Sequence, residues 1–188
     1  MSDKPRESLH KKQKNARPKI EDAIAESLSG DALKSAMEFI AYLAQNKMKP
    51  AWASASSWKV SYKGKSVCYI RLPGTAWYQL EAGSWLLSVF SQYDEHLRDL
   101  VMCETEEIKV LVQKHIDNNV PCGGCMPGLD RRLVNSTFAN VCACTSINMV
   151  NPDESVYDFA VKLVALRRDA IAIGRVPKCS YVKPEDRI

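Results

Sequence analysis

Histidine is scarce in this chain, with three in 188 residues, and glycine numbers only eight. His10, His96 and His115 fall in separate segments, so no histidine-based catalytic or metal motif forms locally. The glycines mark turns, and no glycine-rich phosphate loop is present. No apolar run reaches the length of a membrane span. The basic N-terminus leads into no apolar core of a signal peptide, and the expectation is a cytoplasmic protein. No catalytic signature occurs anywhere along the chain, which turns attention to binding and to structure.

What is present is an ordinary globular composition, 46% hydrophobic and 26% charged, in a length that suits one domain. The charge is unevenly placed. Residues 1–19 hold seven of the 26 Lys and Arg and two of the 22 Asp and Glu, which leaves 19 bases against 20 acids in the rest. The body is therefore close to neutral, which argues against nucleic acid as its partner and places the high pI in a basic arm. The expected organisation is a disordered arm over 1–18, a single α+β domain over 19–174 containing a cysteine segment at 120–150, and a tail over 175–188.

Seven cysteines are an odd number, and four of them form two close pairs, Cys122-Gly123-Gly124-Cys125 and Cys142-Ala143-Cys144. In a reducing compartment such pairs read as metal ligands, redox thiols or buried apolar side chains. Zn2+ takes four thiolates in a tetrahedron, and Cys122, Cys125, Cys142 and Cys144 could converge to supply them. His115, at a helix end nearby, could replace one thiolate. The Cys122/Cys125 pair could also serve a thiol-dependent redox enzyme, but that chemistry wants its first thiol at a helix N-terminus, and Met126-Pro127-Gly128 does not start a helix.

Periodicity supplies the fold class. Helical spacing predicts helices over 19–28 and 31–47, the latter burying Leu33, Ala36, Met37, Ile40, Leu43 and Ala44, with Pro50 beyond its end. Alternation at Trp58, Val60 and Tyr62 predicts a strand, Lys63-Gly64-Lys65 a turn, and 66–72 the returning strand. Further strands are predicted at 75–80 and 85–90. Asp94 and Thr105 are candidate caps for helices over 95–101 and 106–116, and another strand is expected around 140–148. Asn151-Pro152-Asp153-Glu154 opens a last helix, with Asn151 as its cap, a proline in the first turn and a returning acid, that ends by Gly174. The expected architecture is a four-stranded antiparallel meander packed by helices, with a Cys-rich loop and a C-terminal helix.

Two residue groups could carry recognition. Trp58, Tyr62, Trp77 and Trp85 crowd the meander, where they either fill the sheet–helix interface or line a surface for an apolar or cationic small molecule. Lys59, Lys63, Lys65 and Arg71, then Arg131/Arg132 and Arg167/Arg168, read as solvated surface. The run Lys11-Lys12-Gln13-Lys14 could attract nucleic acid nonspecifically.

The stretch Trp58-Lys59-Val60-Ser61-Tyr62-Lys63-Gly64-Lys65, after a helix and before a meander, resembles the hairpin of the YdhG-like and GyrI-like α+β families of bacteria. The likeness spans residues 31–116, and the cysteine segment departs from those simpler domains. GyrI-like members bind small molecules or partner proteins, so the resemblance implies a noncatalytic binding module. It carries over no catalytic residue. The alternatives are the thiol-dependent enzyme and a nucleic-acid-associated protein acting through the basic arm.

Overall fold

The computed structural model describes residues 9–75, 78–90, 95–117, 129–133, 136–141 and 146–175. Three helices lead: α1 (Leu9–Ala16), α2 (Ile20–Ser27) and α3 (Gly30–Gln45). Strands β1 (Lys49–Ser54), β2 (Ser57–Tyr62), β3 (Lys65–Arg71) and β4 (Leu86–Phe90) follow. Then come α4 (Glu95–Met102), α5 (Glu106–Asp117), β5 (Leu129–Leu133), β6 (Ser136–Val141), β7 (Ser146–Val150) and α6 (Glu154–Ala172). The fold is α+β, with a five-stranded antiparallel sheet in the order β1-β2-β3-β4-β7 and a separate β5–β6 hairpin.

The meander is present, with changes in its membership. Lys49–Ser54 forms an edge strand, and Pro50, expected beyond the end of the preceding helix, sits inside it opposite Val60. A proline is tolerated there because an edge strand has one unpaired side. Thr75 and 78–80 are not strand, whereas β7 adds a fifth member. The β2–β3 turn is the two-residue kind: Lys63 and Gly64 both have positive φ, 46° and 74°, and Tyr62 pairs with Lys65. That backbone twist matches the twist of the strands it joins. Within the stretch assigned by composition to a basic arm, Leu9–Ala16 is helical and contacts β1. Gln13 Oε1 there accepts hydrogen bonds from Ser56 N at 2.6 Å and Trp52 Nε1 at 3.4 Å.

The chain divides into two compact units, Met1–Leu87 with Val150–Pro152, and Ser88–Met149 with Asp153–Ile188. The first unit has its core in Ile24, Phe39, Leu43, Trp58, Val60, Ile70 and Trp85. On α3 the buried stripe is Ala36, Phe39, Ile40 and Leu43, while Met37 and Ala44 are exposed, so the stripe is rotated toward Phe39. Asn151 closes this unit. Its backbone N–H donates to Trp85 O at 3.0 Å, and its Oδ1 accepts from Trp85 N at 2.8 Å. The second unit packs α4, α5 and α6 on one another around Leu97, Val101, Ile108, Val112, Phe159, Leu163 and Val164. Thr105 caps α5, its Oγ1 accepting from Ile108 N at 3.4 Å.

Cys68, on β3, is fully buried, and desolvation pushes its thiol well above the ordinary range, with the nearby Arg71 charge opposing this weakly. The unfolded chain gives up this proton near pH ~8.5 and the folded chain does not. The bound proton therefore favours the folded state below that pH. Stability is expected to fall as pH rises above it, by up to about 1.4 kcal/mol per pH unit from this one group. Urea unfolding at a series of alkaline pH values should show that slope in the parent and lose it in Cys68→Ala. An unchanged slope in the variant would assign it elsewhere.

Candidate functional site

The second unit contains a cavity of about 190 Å³ where the end of β4, α4 and α6 meet. Its floor is made by the buried side chains Leu97, Leu163 and Arg167, and its rim includes the exposed Asp169, Ile173 and Arg175. Phe90 from β4 and Leu166 from α6 add apolar wall.

Local sequence explains why these side chains converge. On α6, residues 163, 166, 167, 170 and 173 recur at helical spacing, so one stripe supplies half the lining. The helix starts at Asp153, whose carboxylate accepts from Val156 N at 3.3 Å. The expected cap at Asn151 and first-turn proline are thereby shifted: Asn151 is engaged with Trp85, and Pro152 precedes the cap. The helix ends in a left-handed turn at Gly174, φ 75°. Gly174 N donates to Ile171 O at 3.2 Å and Arg175 N to Ala170 O at 2.9 Å, a Schellman closure. A glycine is needed there because a side-chain-bearing residue resists that φ. The turn folds Arg175 back to the rim, where its Nη1 is hydrogen-bonded to His96 Nε2 of α4. Lys162 and Glu104 tie α6 to the chain just past α4 at 2.6 Å, and that hydrogen bond to Glu104 is the main influence raising the lysine pKa.

Arg167 is 8% exposed, and its guanidinium carbon lies 5.8 Å from the Phe90 ring centroid. Asp169, the acid at the rim, is paired with Arg168 at 2.8 Å and largely exposed. The cavity thus combines the buried Leu97 and Leu163 with the charged side chains Arg167, Asp169 and Arg175.

Three of the candidates singled out from sequence lie elsewhere. Trp58 and Trp85 are core side chains, 1% and 0% exposed. Trp58 Nε1 donates to Pro18 O at 3.0 Å, and the Trp85 ring lies 6.0 Å from that of Phe39 on α3. Tyr62 is half-buried beneath Lys63 Nζ, 5.6 Å away. None of these three lines the cavity. Trp77, Cys122, Cys125, Cys142 and Cys144 lie outside the described residues. Among the described residues no group of His, Cys, Asp and Glu is placed to hold a metal ion, and no helix is long and apolar enough to cross a membrane.

Of the basic groups, Arg71 is not simple surface. Its guanidinium lies 4.7 Å from the Tyr69 ring and 4.9 Å from that of Tyr78, and burial pushes its pKa down while the two tyrosines oppose this. Arg167 is the residue that sequence reasoning misplaced. The Arg167-Arg168 pair reads as solvated, yet Arg167 falls four residues after Leu163 and eight after Phe159, on the buried stripe. That spacing was the available signal. Searches with the chain match no family model, no curated protein and no solved structure.

Proposed function

We propose that the protein is a noncatalytic small-molecule-binding module and that the cavity bounded by Phe90, Leu97, Leu163, Leu166 and Arg167 is its ligand site. The observation that carries this reading is a cavity of about 190 Å³ whose lining joins the buried Leu97 and Leu163 to the polar side chains His96, Arg167, Asp169 and Arg175. Among the described residues the lining offers no nucleophile–base pair, which supports binding over catalysis.

Benzyl alcohol is a suitable neutral probe. Its titration is expected to shift the methyl resonances of Leu97, Leu163 and Leu166 in NMR spectra, saturably and as one group. Ala170→Leu, which adds bulk to the lining, should abolish the shifts without unfolding the protein. Shifts that are absent, or that centre on residues near Trp58, would contradict the assignment.

Zinc held by Cys122, Cys125, Cys142 and Cys144 is the second part of the proposal, supported by the spacing of the two pairs. Protein purified without added metal is expected to contain close to one zinc per chain. Chelation should release the ion, expose four thiols to titration and lower the melting temperature. Substoichiometric metal with unchanged melting would remove zinc from the account.

A further inference from the structure

We infer that the open face of strands β1 to β3 is a docking surface for single-stranded nucleic acid, with Lys49 and Lys59 meeting its phosphates and Tyr69 stacking a base. This surface belongs wholly to the first unit and is independent of the cavity reading.

Charge in this unit is sorted by element. Residues 39–80 hold six Lys and Arg and no Asp or Glu. Five acids, Glu21, Asp22, Glu26, Asp31 and Glu38, come before them on α2 and α3. The near-neutral total of the body thus hides a cationic set of strands beside an acidic pair of helices.

Register decides which of the cations share a face. Ala51 pairs with Lys59 and Lys59 with Tyr69, so the three lie in one row across β1, β2 and β3. Lys49 is two residues before Ala51 and Arg71 two after Tyr69, which puts both on that side as well. The other side carries Trp58, Val60, Cys68 and Ile70, all buried in the core. On the cationic side Lys49 and Ala51 are exposed, and Lys59, Ser61 and Tyr69 are half-buried. The small Ala51 and Ser61 keep this face shallow between the lysines. Lys49 and Lys59 form no ion pair among the described residues. The Tyr69 ring is braced from one side, with the Arg71 guanidinium carbon 4.7 Å from its centroid and 4.9 Å from that of Tyr78.

Lysines spaced over a shallow face match a chain of phosphates, whose counterions they release. The ring in the same row selects among polyanions. Any unpaired base can stack on it, whereas a duplex keeps its bases stacked inside and an acidic peptide leaves the ring unused.

Fluorescence anisotropy of a labelled oligothymidylate with the full chain tests this, beside a duplex of the same length. At low salt the single strand is expected to bind at least about fivefold more tightly than the duplex, the effect of one stacked base. Its affinity should fall with salt. The double variant Lys49→Gln/Lys59→Gln should flatten the log–log slope by about 1.4, since each phosphate contact to a single strand contributes roughly 0.7. Tyr69→Leu should lower single-strand affinity at least about fivefold and leave the slope unchanged. Should circular dichroism show that the tyrosine variant fails to fold, Ala51→Glu decides. It sets an acid among the lysines at an exposed position, with an expected loss of at least about tenfold. Binding lost instead in Lys11→Gln/Lys12→Gln/Lys14→Gln, with the sheet variants at parental affinity, would move the contact to α1 and overturn the assignment. Parental affinity in folded Tyr69→Leu, equal or tighter binding of the duplex, or no binding of the single strand would overturn it as well, and each leaves the cavity reading untouched.

Discussion

Trp58→Leu is expected to lower the free energy of unfolding by about 3 kcal/mol. The indole is 1% exposed, so the smaller side chain leaves part of its volume unfilled. It also removes the donor that meets Pro18 O at 3.0 Å and ties the start of α2 to β2. Trp85 offers an internal comparison. It is equally buried, but its Nε1 has no hydrogen-bond partner among the described residues. Trp→Phe at each position separates packing from bonding: Trp58→Phe should cost about 1 kcal/mol more than Trp85→Phe. Urea unfolding of the three variants provides the check. A Trp58→Leu variant as stable as the parent would mean that the ring is not a core element.

Asn151→Ala is expected to cost about 2–3 kcal/mol, large for a residue outside any helix or strand. Two effects add. The buried Trp85 N–H loses its acceptor, the Asn151 Oδ1 at 2.8 Å, and alanine must adopt the left-handed backbone that asparagine tolerates, φ 43°. Asn151→Asp keeps both the acceptor and the tolerance and should retain most of the stability. Asn151→Gly relieves the backbone alone and should fall between. Hydrogen exchange at the Trp85 amide gives a local readout, with protection expected to drop in the alanine variant. Alanine and aspartate variants of equal stability would show that the side-chain bond contributes nothing.

These two residues also show what the sequence could and could not disclose. The indole at position 58 was legible as an inward-facing strand residue, because alternation with Lys59 and Ser61 is a local pattern. The β2–β3 turn and the helices from α2 to α6 were legible for the same reason: turn chemistry, caps and 3.6-residue spacing act over a few neighbours. Asn151 was read as a cap because Asn-Pro-Asp-Glu resembles a helix start. Its actual partner is 66 residues earlier, and nothing in the local chain records that pairing. The fifth strand, β7, was missed as a member of the main sheet on the same ground, since sheet order depends on long-range pairing. Pro50 suggested a break and instead lies on an edge strand, where its missing N–H is harmless.

The site was less legible than the fold. Aromatic residues drew attention to the meander, but tryptophan buries well, and two of the candidates serve the core. Arg167 was masked by its neighbour: two adjacent arginines on a helix lie 100° apart, so one can be buried while the other faces water. Arg175 depends on a helix-ending turn at Gly174, whose direction only the tertiary structure gives.

The most direct test of the ligand-site assignment is a crystal structure of the protein grown or soaked with benzyl alcohol. Electron density for the ring is expected over Leu97 and Leu163, beside Phe90 and Leu166. An empty cavity at saturating ligand, or a ring lodged against the sheet near Tyr62 instead, would contradict it.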